Sequence, residues 1–118
     1  MRTMMKSKIH RAHITETNLN YEGSISIDDK LMKSADILPY EQVHVLNVNN
    51  GSRFETYAIA GKEGEVRLNG AAARLGEKGD VVIILTYCGV EEKKVAEHVP
   101  RIIHVDEKNR VLMEALRS

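Results

Sequence analysis

Gly76-Glu77-Lys78-Gly79-Asp80-Val81-Val82-Ile83-Ile84-Leu85 decides the fold class of this 118-residue chain. Its first half is a turn, with glycines set among charged residues, and its second half is an apolar run rich in valine and isoleucine. β-Branched side chains lose rotamer freedom in a helix and pack well on a pleated sheet, so the run predicts a strand over residues 81–87. Its apolarity is continuous rather than alternating. That predicts cover on both faces, inside a barrel or against a neighbouring subunit.

The pattern repeats on either side of this stretch. Short β-branched runs separated by turn residues predict further strands over residues 7–15, 24–27, 42–47, 53–60, 65–68 and 101–105. Asn49-Asn50-Gly51 tolerates positive φ and predicts a tight hairpin between the strands at 42–47 and 53–60. Between the second and third strands Asp28 is placed to cap a short helix carrying Leu31, Met32 and Ala35 on one side, with Pro39 expected to end it. A second short helix is expected over 91–98, stopped by Pro100. The fold class is therefore mainly β with short helices, a single domain over residues 1–118. A small sheet that rolls into a closed barrel leaves no edge free to aggregate.

Composition narrows the function. Seventeen basic residues balance 17 acidic ones, and the aromatics are four Tyr and one Phe with no Trp. A basic stripe with aromatic platforms is missing, so no nucleic-acid partner is expected. The N-terminus intersperses Arg2, Lys6, Lys8 and Arg11 without the apolar run of a signal peptide, and residues 81–85 are too few to span a bilayer. A cytoplasmic protein with no membrane partner is expected. A single cysteine, Cys88, excludes an intramolecular disulfide and a multi-thiolate zinc site, and is read as a small buried apolar residue near a strand end. His10 and His13 are three apart, which on a regular strand sends them to opposite faces, and His44, His98 and His104 are scattered. No metal is expected.

Chemistry concentrates in three segments: Tyr21-Glu22-Gly23-Ser24, Asn49-Asn50-Gly51-Ser52-Arg53-Phe54-Glu55-Thr56-Tyr57, and Asn69-Gly70-Ala71-Ala72-Ala73-Arg74. A serine hydroxyl can attack the preceding carbonyl through a five-membered ring, turning amide into ester. Gly23, lacking Cβ, is suited to the bent backbone this requires and leaves its carbonyl open. β-Elimination of the ester and hydrolysis of the resulting dehydroalanine would leave a pyruvoyl group. Gly-Ser is also a common turn dipeptide, so the alternative is a non-enzymatic β-barrel binding module in which Gly23-Ser24 is an ordinary turn.

In order and approximate spacing the three segments resemble the pyruvoyl-dependent aspartate 1-decarboxylases, from about Met4 to Tyr87. The resemblance implies a double-psi β-barrel assembled as a homotetramer with active sites between subunits. It implies cleavage into residues 1–23 (β chain) and 24–118 (α chain), and a covalent pyruvoyl cofactor formed from Ser24, with no dissociable cofactor. The implied activity is conversion of L-aspartate to β-alanine and CO2, through a Schiff base to that group, in pantothenate biosynthesis. Implied roles fall on matched residues: Thr56 assists processing at the Gly23 carbonyl and binds substrate, Tyr57 donates a proton, Arg53 and Lys8 bind substrate carboxylates, and Asn69, Ala71 and Ala72 line the site. His10 matches a histidine near the processing site. A phenol is protonated at neutral pH and an arginine offers a planar fork, so the residue types suit these tasks. Glutamate differs from aspartate by one methylene, which fit alone discriminates by roughly 10 to 200-fold.

On local grounds Asn69 also reads as the capping amide of a helical turn. A regular strand sets Arg53 and Tyr57 on one face, about 13 Å apart, with Thr56 on the other, so joint action of Thr56 and Tyr57 requires a bulge or a site that wraps around the strand. Leu46 stands where some relatives carry tryptophan, and the Gly61-Lys62-Glu63-Gly64 connection is short.

Overall fold

The computed structural model describes residues 1–116; the last two residues of the expected 1–118 domain lie outside that range. Nine strands form one hydrogen-bonded system: β1 (Arg2–His13), β2 (Glu16–Asn18), β3 (Ser24–Asp28), β4 (Gln42–Asn47), β5 (Arg53–Gly61), β6 (Val66–Asn69), β7 (Val81–Val90), β8 (Arg101–Val105) and β9 (Val111–Leu116). A helix, α1 (Asp29–Ser34), follows β3, and 3-10 turns occupy Gly70–Leu75 and Glu92–Glu97. β2 and β9 were not expected from sequence, being a three-residue strand and a strand in a stretch without clear alternation.

Strand order is β2-β6-β3-β5-β4-β7-β1-β8-β9. β1 and β2 are one chain run interrupted only at Ile14-Thr15, so the order closes on itself: the first part of the run pairs with β7 and the last part with β6. Thr15 seals the joint, its N–H donating to Val66 O at 2.8 Å and its Oγ1 accepting from Val66 N at 3.0 Å. The result is the expected closed barrel, with the β8–β9 hairpin attached through the parallel β1–β8 pair.

Alternate residues fill the interior: Ile9, Ile25, Ile27, Val43, Val45, Val66, Leu68, Val82 and Ile84 are all fully buried. Each such side chain contributes about 1.5–3 kcal/mol of burial free energy. Along β7, Val82 and Ile84 point inward while Val81 and Ile83 are half-buried on the outer side, so the continuous run in the sequence serves two surfaces.

Local expectations fared unevenly. Asp28 caps α1 through Lys30 N at 2.7 Å, and Leu31, Met32 and Ala35 are buried as the helical spacing required. The helix, however, stops at Ser34, and Asp36 at φ 56° turns the chain before Pro39 is reached. Gly51 at φ 76° makes the β4–β5 hairpin as expected. Cys88 is half-buried rather than buried: it shares the face of Val82, Ile84 and Thr86 but lies two residues past Thr86, toward the end of β7. His10 and His13 do not take opposite faces. A register shift between Ile9 and Ala12, with Arg11 at φ 63°, inserts one residue, so that Ile9 and Ala12 both point inward and both histidines outward.

Candidate active site

The Gly23–Ser24 bond joins an exposed loop to a buried strand. Tyr21, Glu22 and Gly23 are exposed, whereas Ser24 is 1% exposed and opens β3, the strand held by β5 on one side and β6 on the other. Ile25 and Ile27 point into the barrel, which turns Ser24, Ser26 and Asp28 to the other face. That face is polar and covered. Asn69, opposite Ser24 on β6, donates from Nδ2 to Ser24 Oγ at 3.0 Å and to Ser26 Oγ at 3.0 Å. Ser24 Oγ in turn donates to Glu22 O at 3.1 Å.

The expectation that Asn69 caps a helix is overturned here. It does occupy the residue before the 3-10 turn, but its side chain makes no capping bond and is committed to the two serines. Gly23 is likewise not the strained glycine. Its φ is not positive, and a Cβ there would meet only Ala71 N at 4.0 Å. The constrained position is Gly70, at φ 63°, where a Cβ would stand 2.6 Å from Gly23 Cα and N and 2.8 Å from Tyr21 O. Gly70 therefore lets the Asn69–Ala72 backbone close directly onto Gly23, the residue before the Gly23–Ser24 bond. Gly70→Ala is expected to cost about 1–3 kcal/mol from the left-handed conformation alone, and to displace the bond as well. A lowered thermal midpoint together with changed behaviour at Gly23-Ser24, read by intact mass, checks this; unchanged values on both would remove the contact from consideration.

β5 lies beside Ser24. In its parallel register Ile25 is opposite Ala58, so Thr56 and Tyr57 fall level with Gly23 and Ser24. The β4–β5 pairing runs without a shift from Leu46–Arg53 to Gln42–Tyr57, so β5 has no bulge there. Arg53, Glu55 and Tyr57 face outward. Phe54, Thr56 and Ala58 face the barrel, and the Thr56 hydroxyl has no hydrogen-bond partner among the described residues. Of the alternatives that spacing left open, the bulge is therefore excluded. The Tyr57 ring packs 6.0 Å from that of Tyr40, centroid to centroid.

Lys8 and Arg53 do not meet Ser24 within one chain. They share an outer sheet face: Lys8 pairs with Leu85, Leu85 with His44, and His44 with Glu55, a row crossing β1, β7, β4 and β5, while Arg53 pairs with Leu46, which pairs with Ile83. A hollow of about 150 Å³ beside His44, Leu46, Arg53, Phe54 and Glu55 opens on this face. So does a larger one of about 370 Å³ lined by Thr3, Glu41, Gln42, His44 and Tyr87. Neither contains Ser24. His10 stands next to His104, ring centroids 5.3 Å apart, and its Nδ1 is buried without a partner. Desolvation, then the neighbouring Lys8, His104 and Arg11, lower its pKa and so favour the neutral ring. No group of three or more metal-ligating side chains occurs among the described residues.

Sequence reasoning missed Ser26 and Arg67. Ser26 was legible in the alternation Ser24-Ile25-Ser26-Ile27-Asp28, polar at every second residue of a strand that proves buried on both faces. Arg67 looked like any strand cation, and only its place across from Ser26 marks it.

A small closed barrel with a buried serine placed just past an exposed loop, its hydroxyl held by an asparagine amide, has the architecture of decarboxylases that take their reacting carbonyl from their own backbone. The aspartate decarboxylase family model matches residues 1–112. An aspartate 1-decarboxylase of Syntrophobacter fumaroxidans is 56% identical, covering 99% of this chain and 96% of its own length. One of Dehalococcoides mccartyi is 57% identical over 92% of this chain and 89% of its own, and one of Staphylococcus aureus 53% identical over 95% and 90%. The chain belongs to the aspartate decarboxylase family. It is accordingly an enzyme, a lyase with the double-psi form of the barrel, in a family that uses a self-derived pyruvoyl group. The binding-module alternative falls with that membership.

Proposed function

We propose that this chain cleaves itself between Gly23 and Ser24 and then converts L-aspartate to β-alanine and CO2. The observation that carries the reading is the corner at Ser24: a buried hydroxyl fixed by Asn69, next to an exposed residue whose carbonyl it would attack. In that attack the Ser24 Oγ–Gly23 C bond forms, the Gly23 C–Ser24 N bond breaks, and the hydroxyl proton ends on the Ser24 nitrogen. Elimination then breaks the Ser24 Cβ–Oγ bond with loss of the Cα proton, which frees Gly23 as the C-terminal carboxylate of residues 1–23, and water hydrolyses the remaining dehydroalanine to the ketone with release of ammonia. The barrel survives the break, since β1 stays hydrogen-bonded to β7 and β8, and β2 to β6.

The residues present fit the pyruvoyl group in polarity, because Asn69 and Ser26 set hydrogen-bonding groups beside the Ser24 position and Gly70 lets a backbone approach it closely. When formed, that group supplies a ketone for the substrate amine and an adjacent carbonyl that withdraws electrons. Tyr57, level with Ser24 on β5, holds the proton to be delivered at its phenolic oxygen. Thr56 assists processing. Asn69 and the backbone of Ala71 and Ala72 line the substrate.

Arg53 and Lys8 bind the carboxylates, and their placement on an outer face away from Ser24 supports a site completed by a second copy of the chain, in a homotetramer. The half-buried apolar residues Leu46 and Ile83 on that face suit such a contact. No helix among the described residues is long and apolar enough to cross a membrane. We place the enzyme in the cytoplasm, in keeping with an amino-acid substrate free in solution.

The reading is tested on purified wild-type protein: two fragments divided after Gly23 and β-alanine formed from aspartate are expected, and one intact, inactive chain would overturn it. Recognition is tested by Arg53→Lys. Lysine keeps the charge but loses the planar fork, so kcat/KM for aspartate should fall at least about tenfold, roughly 1.4 kcal/mol, on material shown by mass to be cleaved. An unchanged value would pass the role to Lys8 or to the Asn69–Ala72 backbone.

A further inference from the structure

Arg67 lies on β6 two residues before Asn69 and is absent from every role assigned above. Its Nε donates to Asn69 Oδ1 at 2.9 Å, and one terminal nitrogen approaches Ser26 Oγ at 3.5 Å. Its guanidinium carbon lies 5.4 Å from the centroid of the Tyr21 ring, in the exposed loop that precedes the Gly23–Ser24 bond. Glu65 Oε2, 3.6 Å from the other terminal nitrogen, holds the charge in place.

An asparagine amide is nearly symmetric in shape, so packing alone does not choose between its two orientations. Arginine has only donors. With Arg67 Nε–H on one side of the amide, Oδ1 must face it, and both Nδ2 hydrogens are driven toward Ser24 and Ser26. The reversed amide would set donors against donors at Arg67 and turn Oδ1 toward Ser24, whose hydroxyl would then donate to it. In the orientation present, Ser24 Oγ accepts from Asn69, and its own hydrogen is left to Glu22 O, at 3.1 Å.

We infer that Arg67 is a positioning residue for self-processing, which acts by fixing the Asn69 amide so that the Ser24 hydroxyl is held through its oxygen and releases its proton away from Asn69. The inference rests on the self-cleavage reading. Atom movements are those of the acyl shift already written, and Arg67 takes part in no bond that forms or breaks.

The test follows cleavage of freshly purified full-length chain by intact mass, with the thermal midpoint measured alongside. Arg67→Met keeps an aliphatic stem but no donor and should slow cleavage about tenfold or more, a fraction of what loss of an oriented donor costs at a developing charge. Arg67→Lys restores a cationic N–H donor and should recover most of the rate. If Arg67→Met does not fold, Arg67→Gln takes its place with slowing again expected, since an amide there permits either orientation of Asn69. In an Asn69→Ala background the Arg67 exchange should have no further effect, because the group it positions is gone. Wild-type rates in the Arg67 variants, no recovery with lysine, or slowing that multiplies unchanged onto Asn69→Ala would overturn the role. Wild-type chain that never cleaves would overturn the self-cleavage reading and this inference with it, whereas normal wild-type cleavage with indifferent Arg67 variants would overturn the inference alone.

Discussion

Ser24→Ala is expected to give an intact, folded chain without decarboxylase activity. The hydroxyl is the attacking group, and no neighbour replaces it. Ser26 is the nearest serine on that face of β3, but the carbonyl that precedes it belongs to Ile25, whose strand position is paired on both sides, with Ala58 and with Leu68. The barrel should tolerate the change. Alanine fills most of the serine volume, Asn69 keeps its bond to Ser26, and the lost hydrogen bond costs about 1 kcal/mol. A single mass for the whole chain, a thermal midpoint within a few degrees of wild type and no β-alanine are the expected readings. Cleavage at the normal position in this variant would sink the mechanism.

The second large effect is expected at Tyr57. Tyr57→Phe removes the phenolic proton and leaves the ring, which can still pack against Tyr40. Because the acyl shift uses the Ser24 hydroxyl and not the phenol, processing should proceed to two fragments. Turnover should then fall by roughly 10² to 10⁴-fold, the usual cost of a lost general acid. Comparing variants by mass first, and only then by rate, keeps a processing defect from passing for a catalytic one. Near-normal β-alanine production by fully cleaved Tyr57→Phe would take the role from this residue.

Local chemistry in the chain carried much of the architecture. β-Branched runs marked seven of the nine strands, because rotamer restriction and alternation act over a few residues and need no partner to be read. Asp28, with Leu31, Met32 and Ala35, marked α1 for the same reason, and Asn49-Asn50-Gly51 marked its hairpin. Sequence did not disclose β2, because three residues that pair with only one strand have too little pattern of their own. Nor did it disclose the bulge after Ile9, which is chosen by the fit of β1 across the barrel and reverses the side taken by His13.

The same division holds at the site. Gly23-Ser24, Arg53-Thr56-Tyr57 and Asn69-Gly70-Ala71-Ala72 were identifiable by sequence alone, since a chemistry that depends on residue type and order leaves its signature in one dimension. Tertiary structure decided how they act on one another. Pairing of β3 with β6 aims the Asn69 amide at Ser24 instead of at a helix end, pairing with β5 sets Tyr57 level with Ser24, and closure of the barrel puts Lys8 and Arg53 on a shared outer face. Gly70, and not Gly23, has the conformation that needs glycine, because its backbone has to pass within contact of Gly23 and Tyr21 in a distant segment. The registers of β3 with β5 and β6, and the approach of Gly70 to Gly23, arise between segments more than thirty residues apart, where no local propensity reaches.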